Sequence, residues 1–137
     1  MNWTNQKMRI VVASADETAT SAISLLIDSQ PDLELAGQAA GISDLLVKIK
    51  STRANLVVLD WDKLGQQIGT LVDLLELFEV PPEIVALSVH EHAQAAAMAA
   101  GAVGFAYKGD PPANLLKTIR DWKREQEQGT NTNESGV

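Results

Sequence analysis

The sequence has no cysteine, little basic charge and no long apolar run, and each absence closes a class of function. Without cysteine there can be no disulfide framework, zinc–thiolate site or thiol nucleophile. The formal net charge of −7 argues against a nucleic-acid-binding surface of the usual basic kind. A local basic patch remains near the end of the chain, at Lys117, Arg120, Lys123 and Arg124. No apolar stretch approaches the roughly 20 residues that span a bilayer. The polar start, Met1 to Arg9, has no signal-peptide core. A cytoplasmic protein without a membrane or nucleic-acid partner is therefore expected.

The 137 residues, 45% of them apolar and 21% charged, fit one domain with a sizeable core. Five short apolar segments recur: Arg9 to Ala13, Leu33 to Gly37, Leu56 to Asp60, Ile84 to Ser88 and Val103 to Ala106. The first, third and fourth are nearly continuous, as strands covered on both faces should be. The second alternates, which suits an edge. Helical spacing fills the gaps, as in Ala19, Ala22, Ile23, Leu26 and Ile27, in Ile42, Leu45, Leu46 and Ile49, and in Ile68, Leu71, Val72 and Leu75. A fourth helix is expected over Glu91 to Ala100, with Gly101 as its C′ residue. A fifth is expected to be capped by Asp110, to take Pro111 in its first turn and to bury Leu115, Ile119 and Trp122. The alternation implies a doubly wound α/β domain with a five-stranded parallel sheet, flavodoxin-like, for which the order 2-1-3-4-5 is the common solution. The domain is expected over residues 1–124, with 125–137 a flexible tail or linker and no output domain after it.

In such folds the ligand crevice lies at the carboxyl ends of the strands. Strand one ends at Ser14-Ala15-Asp16, strand three at Asp60-Trp61-Asp62 and strand four at Ser88, while strand five runs into Tyr107-Lys108. A carboxylate, a hydroxyl and an ammonium therefore converge. A carboxylate can attack a phosphoryl group, a cation can neutralise the transferred oxygens, and a hydroxyl can hydrogen-bond them afterwards. Other readings of these residues stay open. Asp60 can be a plain strand-terminal carboxylate, Asp16 a helix N-cap, and Ser88 and Lys108 partners in a buried polar crevice. Asp62 and Lys63 can be solvated loop charges. His90 and His92 find no third metal ligand and read as surface residues. Trp61 suits either exposed recognition or packing over the next helix.

From Met8 to about Lys123 the chain resembles the receiver domains of two-component response regulators, nearest to the NarL/FixJ type. The resemblance rests on Ala99-Ala100-Gly101-Ala102-Val103-Gly104-Phe105-Ala106-Tyr107-Lys108, on Asp110-Pro111-Pro112-Ala113-Asn114-Leu115 and on Pro31-Asp32-Leu33-Glu34-Leu35-Ala36-Gly37. It implies that Asp60 is the phosphoacceptor, that Ser88 and Lys108 are its hydroxyl and lysine partners, and that Ser88 and Phe105 form a switch. It also implies Mg²⁺ held by Asp60 and the main chain of Asp62, with Asp16 a further ligand only if a local one-residue shift brings it into the site. Its partners would be a sensor histidine kinase or phosphotransfer protein, and a second copy through the face of helix four, strand five and helix five.

The departures from the family pattern matter as much. The acidic pair that normally ends strand one, and binds Mg²⁺, falls on Ser14 and Ala15. Lys63 and Leu64 stand where methionine and proline are usual, although Gly65 is kept. Gly109 stands where proline often follows the lysine. Mg²⁺ prefers several hard oxygens, so weak or absent binding is expected. Two functions follow: a signalling domain phosphorylated on Asp60, or a pseudo-receiver that engages partners without phosphorylation. A flavodoxin-like cofactor binder ranks below both, because no glycine-rich phosphate loop follows strand one.

Overall fold

Side chains that alternate along each strand enter two separate cores, which is what builds the sheet into the middle of the molecule. The computed structural model describes residues 7–135. The elements are β1 (Met8–Ala13), α1 (Glu17–Asp28), β2 (Leu33–Ala39), α2 (Ile42–Thr52) and β3 (Leu56–Asp60). A helical turn (Trp61–Leu64) and a 3-10 turn (Gly65–Gln67) then lead into α3 (Ile68–Leu75), β4 (Glu83–Ser88), α4 (Ala93–Ala99), β5 (Gly104–Tyr107) and α5 (Pro112–Ser135). All four strand pairings are parallel, and the order is β2-β1-β3-β4-β5. The expected doubly wound fold and its strand order are both present.

Val11, Ala13, Val57, Leu59, Ile84 and Ala86 point to the face covered by α2, α3 and α4, among Leu45, Ile49, Leu71, Leu75 and Ala97. Ile10, Val12, Leu56, Val58, Val85 and Leu87 point to the opposite face, covered by α1 and α5 through Ile23, Ile27, Leu115, Ile119 and Trp122. Burial on both faces is why β1, β3 and β4 read as unbroken apolar runs. Trp122 is buried in the second core beside Leu115 and Ile119, on the face of α5 where the spacing places it.

Several ends differ in detail from the expectation. Gly101 has φ of 118° just past α4, so it is the expected left-handed C′ glycine. The last helix starts one residue later than expected: Pro112, not Pro111, is its first residue, where a missing amide proton costs nothing. Asp110 therefore sits before the cap, and its N–H closes a turn on the Tyr107 carbonyl at 3.1 Å. The backbone of α5 is helical to Ser135, beyond the expected domain boundary at residue 124. Residues 136 and 137 of that stretch lie outside the described residues. Among the described residues no helix is long and apolar enough to cross a membrane.

The basic patch is largely paired. Lys117 and Arg124 reach Asp121, and Arg120 clamps Asp32 with hydrogen bonds of 3.2 and 2.9 Å while also donating to Gln30 at 2.8 Å. The Arg120 hydrogen bonds hold the Asp32 carboxyl below the usual carboxylate value, against a smaller opposing effect of burial. Because the folded value is depressed, the pair stabilises the protein above the unfolded value and that contribution is lost as pH falls through the folded one. Both side chains are 36% exposed, so solvent screening limits the effect. Arg120→Ala is expected to cost at most about 1 kcal/mol at neutral pH. The loss should shrink in urea titrations at pH 3.

Candidate functional site

The site is built by the ends of three neighbouring strands. In register, Ala13 of β1 lies beside Leu59 of β3, and Asp60 lies beside Leu87 of β4. The loops that leave β1, β3 and β4 therefore open side by side, and β5 delivers Lys108 from the far side of β4. Asp60 is 1% exposed, a degree of burial that an ionised carboxylate tolerates only with donors on its oxygens.

Those donors are present on both oxygens. Ser14 Oγ donates to Asp60 Oδ2 at 2.6 Å. Lys108 Nζ and the main-chain N–H of Asp62 donate to Oδ1 at 2.8 and 3.1 Å. The serine must donate here, because a carboxylate can only accept, and Ser14 Oγ accepts in turn from the Asp16 N–H at 3.0 Å.

A second carboxylate stands next to the first. Asp62 Oδ1 accepts from Ser88 Oγ at 2.6 Å, and Oδ2 accepts from the Val89 N–H at 2.9 Å and from Lys108 Nζ at 3.4 Å. Ser88 repeats the logic of Ser14: its oxygen accepts from the His90 N–H at 2.9 Å and its proton goes to the carboxylate. Burial pushes the Asp62 carboxyl up, but the Ser88 hydroxyl, the Val89 N–H and the Lys108 ammonium together outweigh it and hold the group below the usual value. Asp62 is thus no solvated loop charge: its side chain is 16% exposed and ties β3 to the start of the β4–α4 loop. Among the described residues, no buried side-chain nitrogen or oxygen lacks a partner.

The remaining sequence candidates fall around this network. Asp16 caps α1, its Oδ1 accepting from the N–H groups of Thr18 and Ala19 at 3.0 and 3.3 Å. Phe105 is half-buried against the core on the α2–α4 side of the sheet. Lys63 is exposed. His90 and His92 are exposed, with ring centroids 5.2 Å apart. Trp61 takes the packing role: it lies against the core, and a side chain at Gly65 would meet its ring at 2.8 Å. Gly109 is in a similar position, since a Cβ there would run into the Tyr107 ring. The glycine that replaces the usual proline leaves space for that ring.

The residues present do not fit a Mg²⁺ ion. Such an ion needs several oxygen lone pairs in octahedral array. Here both Asp60 oxygens already accept hydrogen bonds, Ser14 presents a proton, Ala15 has no ligand atom, and Asp16 is engaged at the helix cap. Among the described residues no group of three or more acidic or histidine side chains could hold a metal. An ammonium, Lys108, stands between the two carboxylates instead.

No protein-family model matches the chain. The receiver domain of the response regulator NarL from Mycobacterium tuberculosis superposes with a TM-score of 0.74 at 20% identity, over 87% of this chain and 98% of that one. The fold is that of a receiver domain. The response regulator domain of Thermotoga maritima CheB gives a TM-score of 0.69 at 19% identity, covering 85% of this chain and 96% of that one. The isolated receiver domain of RcsB from Salmonella enterica, solved with the phosphomimetic BeF₃⁻, gives 0.73 at 14% identity, covering 87% and 90%. In sequence, the chain is 18% identical over 120 residues to the sensory transduction protein LytT of Bacillus cereus. That match takes in 88% of this chain and 49% of LytT, so the chain spans about half the length of the curated relative it matches.

Proposed function

We propose that this receiver fold serves as a signalling and interaction domain whose acceptor frame is held closed, so that it engages its partner without phosphorylation of Asp60. One observation carries the reading: both oxygens of a carboxylate that is 1% exposed are already hydrogen-bonded, one of them by Ser14 at a position where the family pattern expects an acidic residue. An in-line attack on phosphorus needs an Asp60 lone pair facing the donor and cationic charge on the equatorial oxygens. In this site Ser14 covers one oxygen and Lys108 is shared between two carboxylates. Without a fitting metal, transfer to Asp60 is expected to be slower by orders of magnitude.

A second reading keeps Asp60 as acceptor, with a sensor histidine kinase or phosphotransfer protein as donor. The placement of Lys108 at 2.8 Å from Asp60, with the Ser88 hydroxyl nearby, favours it. Intact mass after incubation with Mg²⁺ and a small phosphodonor separates the two. No gain is expected for the closed frame; a gain of one phosphoryl group that Asp60→Ala abolishes would establish the second reading. Under either, the domain is a signalling module and no metabolic enzyme.

A further inference from the structure

We infer that the Asp62 carboxylate fills an oxyanion subsite of this crevice from within, as a tethered anion that ties the end of β3 to the β4–α4 connection. The inference rests on the closed-frame reading and deepens it. Three donors from two points of the fold converge on Asp62: the Ser88 hydroxyl at the end of β4 with the Val89 N–H one residue later, and the Lys108 ammonium after β5. They supply charge, a rotatable proton and a fixed main-chain proton, which together suit an anion with several oxygens. The subsite adjoins Asp60, because the same ammonium lies 2.8 Å from Asp60 Oδ1 and 3.4 Å from Asp62 Oδ2.

The placement of these donors is local and cheap to maintain. Ser88 is fully buried, accepts from the His90 N–H and gives its proton to Asp62, the acceptor-only partner beside it. Asp62 reaches it because the turn Trp61–Leu64 starts directly at the end of β3, beside β4. The depressed titration of Asp62 follows from the same contacts and keeps the group ionised at neutral pH. A carboxylate on the same chain competes for these donors as an intramolecular ligand and needs no anion from solution. A phosphoryl group on Asp60 would have to displace it.

The test removes the charge on Asp60, so that no covalent chemistry enters, and then removes the tethered anion. Amide spectra of Asp60→Asn and of the Asp60→Asn/Asp62→Ala double variant are followed while inorganic phosphate is added, with Asp62→Ser as the second form of the double variant. The double variant should show saturable shifts at Val89 and His90, with binding about tenfold or more tighter than in Asp60→Asn alone. Adding Lys108→Met should abolish them. Equal binding with Asp62 present would overturn the inference. So would a folded double variant, in either form, whose Val89 amide ignores phosphate, or whose shifts survive Lys108→Met (an adventitious ion only). None of these outcomes depends on whether the wild-type chain takes a phosphoryl group, so the two readings fail separately.

Discussion

Lys108→Met is expected to destabilise the domain by roughly 3 kcal/mol, a loss on the order of 10 °C in Tm. Among the described residues the lysine is the only cation paired with Asp60, and the carboxylate is 1% exposed. Removing one partner of a buried pair leaves the other charge desolvated and uncompensated. The estimate sits at the low end of the usual range, because the Lys108 side chain is 20% exposed and water can replace part of it. Adding Asp60→Asn should recover most of the loss, since a neutral amide no longer requires the cation. A double-mutant cycle by urea denaturation reads both results. A cost near that of an exposed ion pair, below about 1 kcal/mol, would mean that the network is ornamental.

Ser14→Asp is expected to have an effect of similar size and to make stability depend on Mg²⁺. The substitution removes the 2.6 Å hydrogen bond to Asp60 and puts a second carboxylate beside it at a position 3% exposed. Loss of a hydrogen bond to a charged group and the new like-charge contact should together cost about 3 kcal/mol or more without metal. The same change supplies the oxygen ligand that the site lacks. Mg²⁺ at tenfold its dissociation constant should then return about 1.4 kcal/mol. Thermal melts of both proteins with and without Mg²⁺ check this. The wild-type melt should not move. An equal Mg²⁺ shift in both would show that the native donor set already suits the ion.

Much of the fold was legible because its signals are redundant. Continuous apolar runs marked β1, β3 and β4 as doubly covered, and the alternating Leu33 to Gly37 marked β2, which is the edge strand. The boundary at Pro112 was missed by one residue, since two adjacent prolines satisfy the first-turn rule equally well. The helical stretch after residue 124 was not legible, because it carries no apolar periodicity.

The site was half legible. The strand ends named Asp60, Ser88 and Lys108, and strand order made their convergence a consequence of topology. Two further parts were not visible. That Ser14 donates to Asp60 depends on how the β1–α1 loop seats one hydroxyl between the Asp16 N–H and the carboxylate. That Asp62 engages Ser88 and Lys108 depends on the turn which begins immediately at Asp60. A signal for the second did exist: an acidic residue two positions past the end of a strand, facing a serine that ends the adjacent strand. Read alone, it looked like an ordinary loop charge.

The central claim, a receiver fold whose acceptor is held closed, is tested most directly by intact mass after exposure to Mg²⁺ and a small phosphodonor. The account predicts that wild-type protein keeps its mass over a range of Mg²⁺ concentrations. A gain of one phosphoryl group in the wild-type chain, lost in Asp60→Ala, would contradict it.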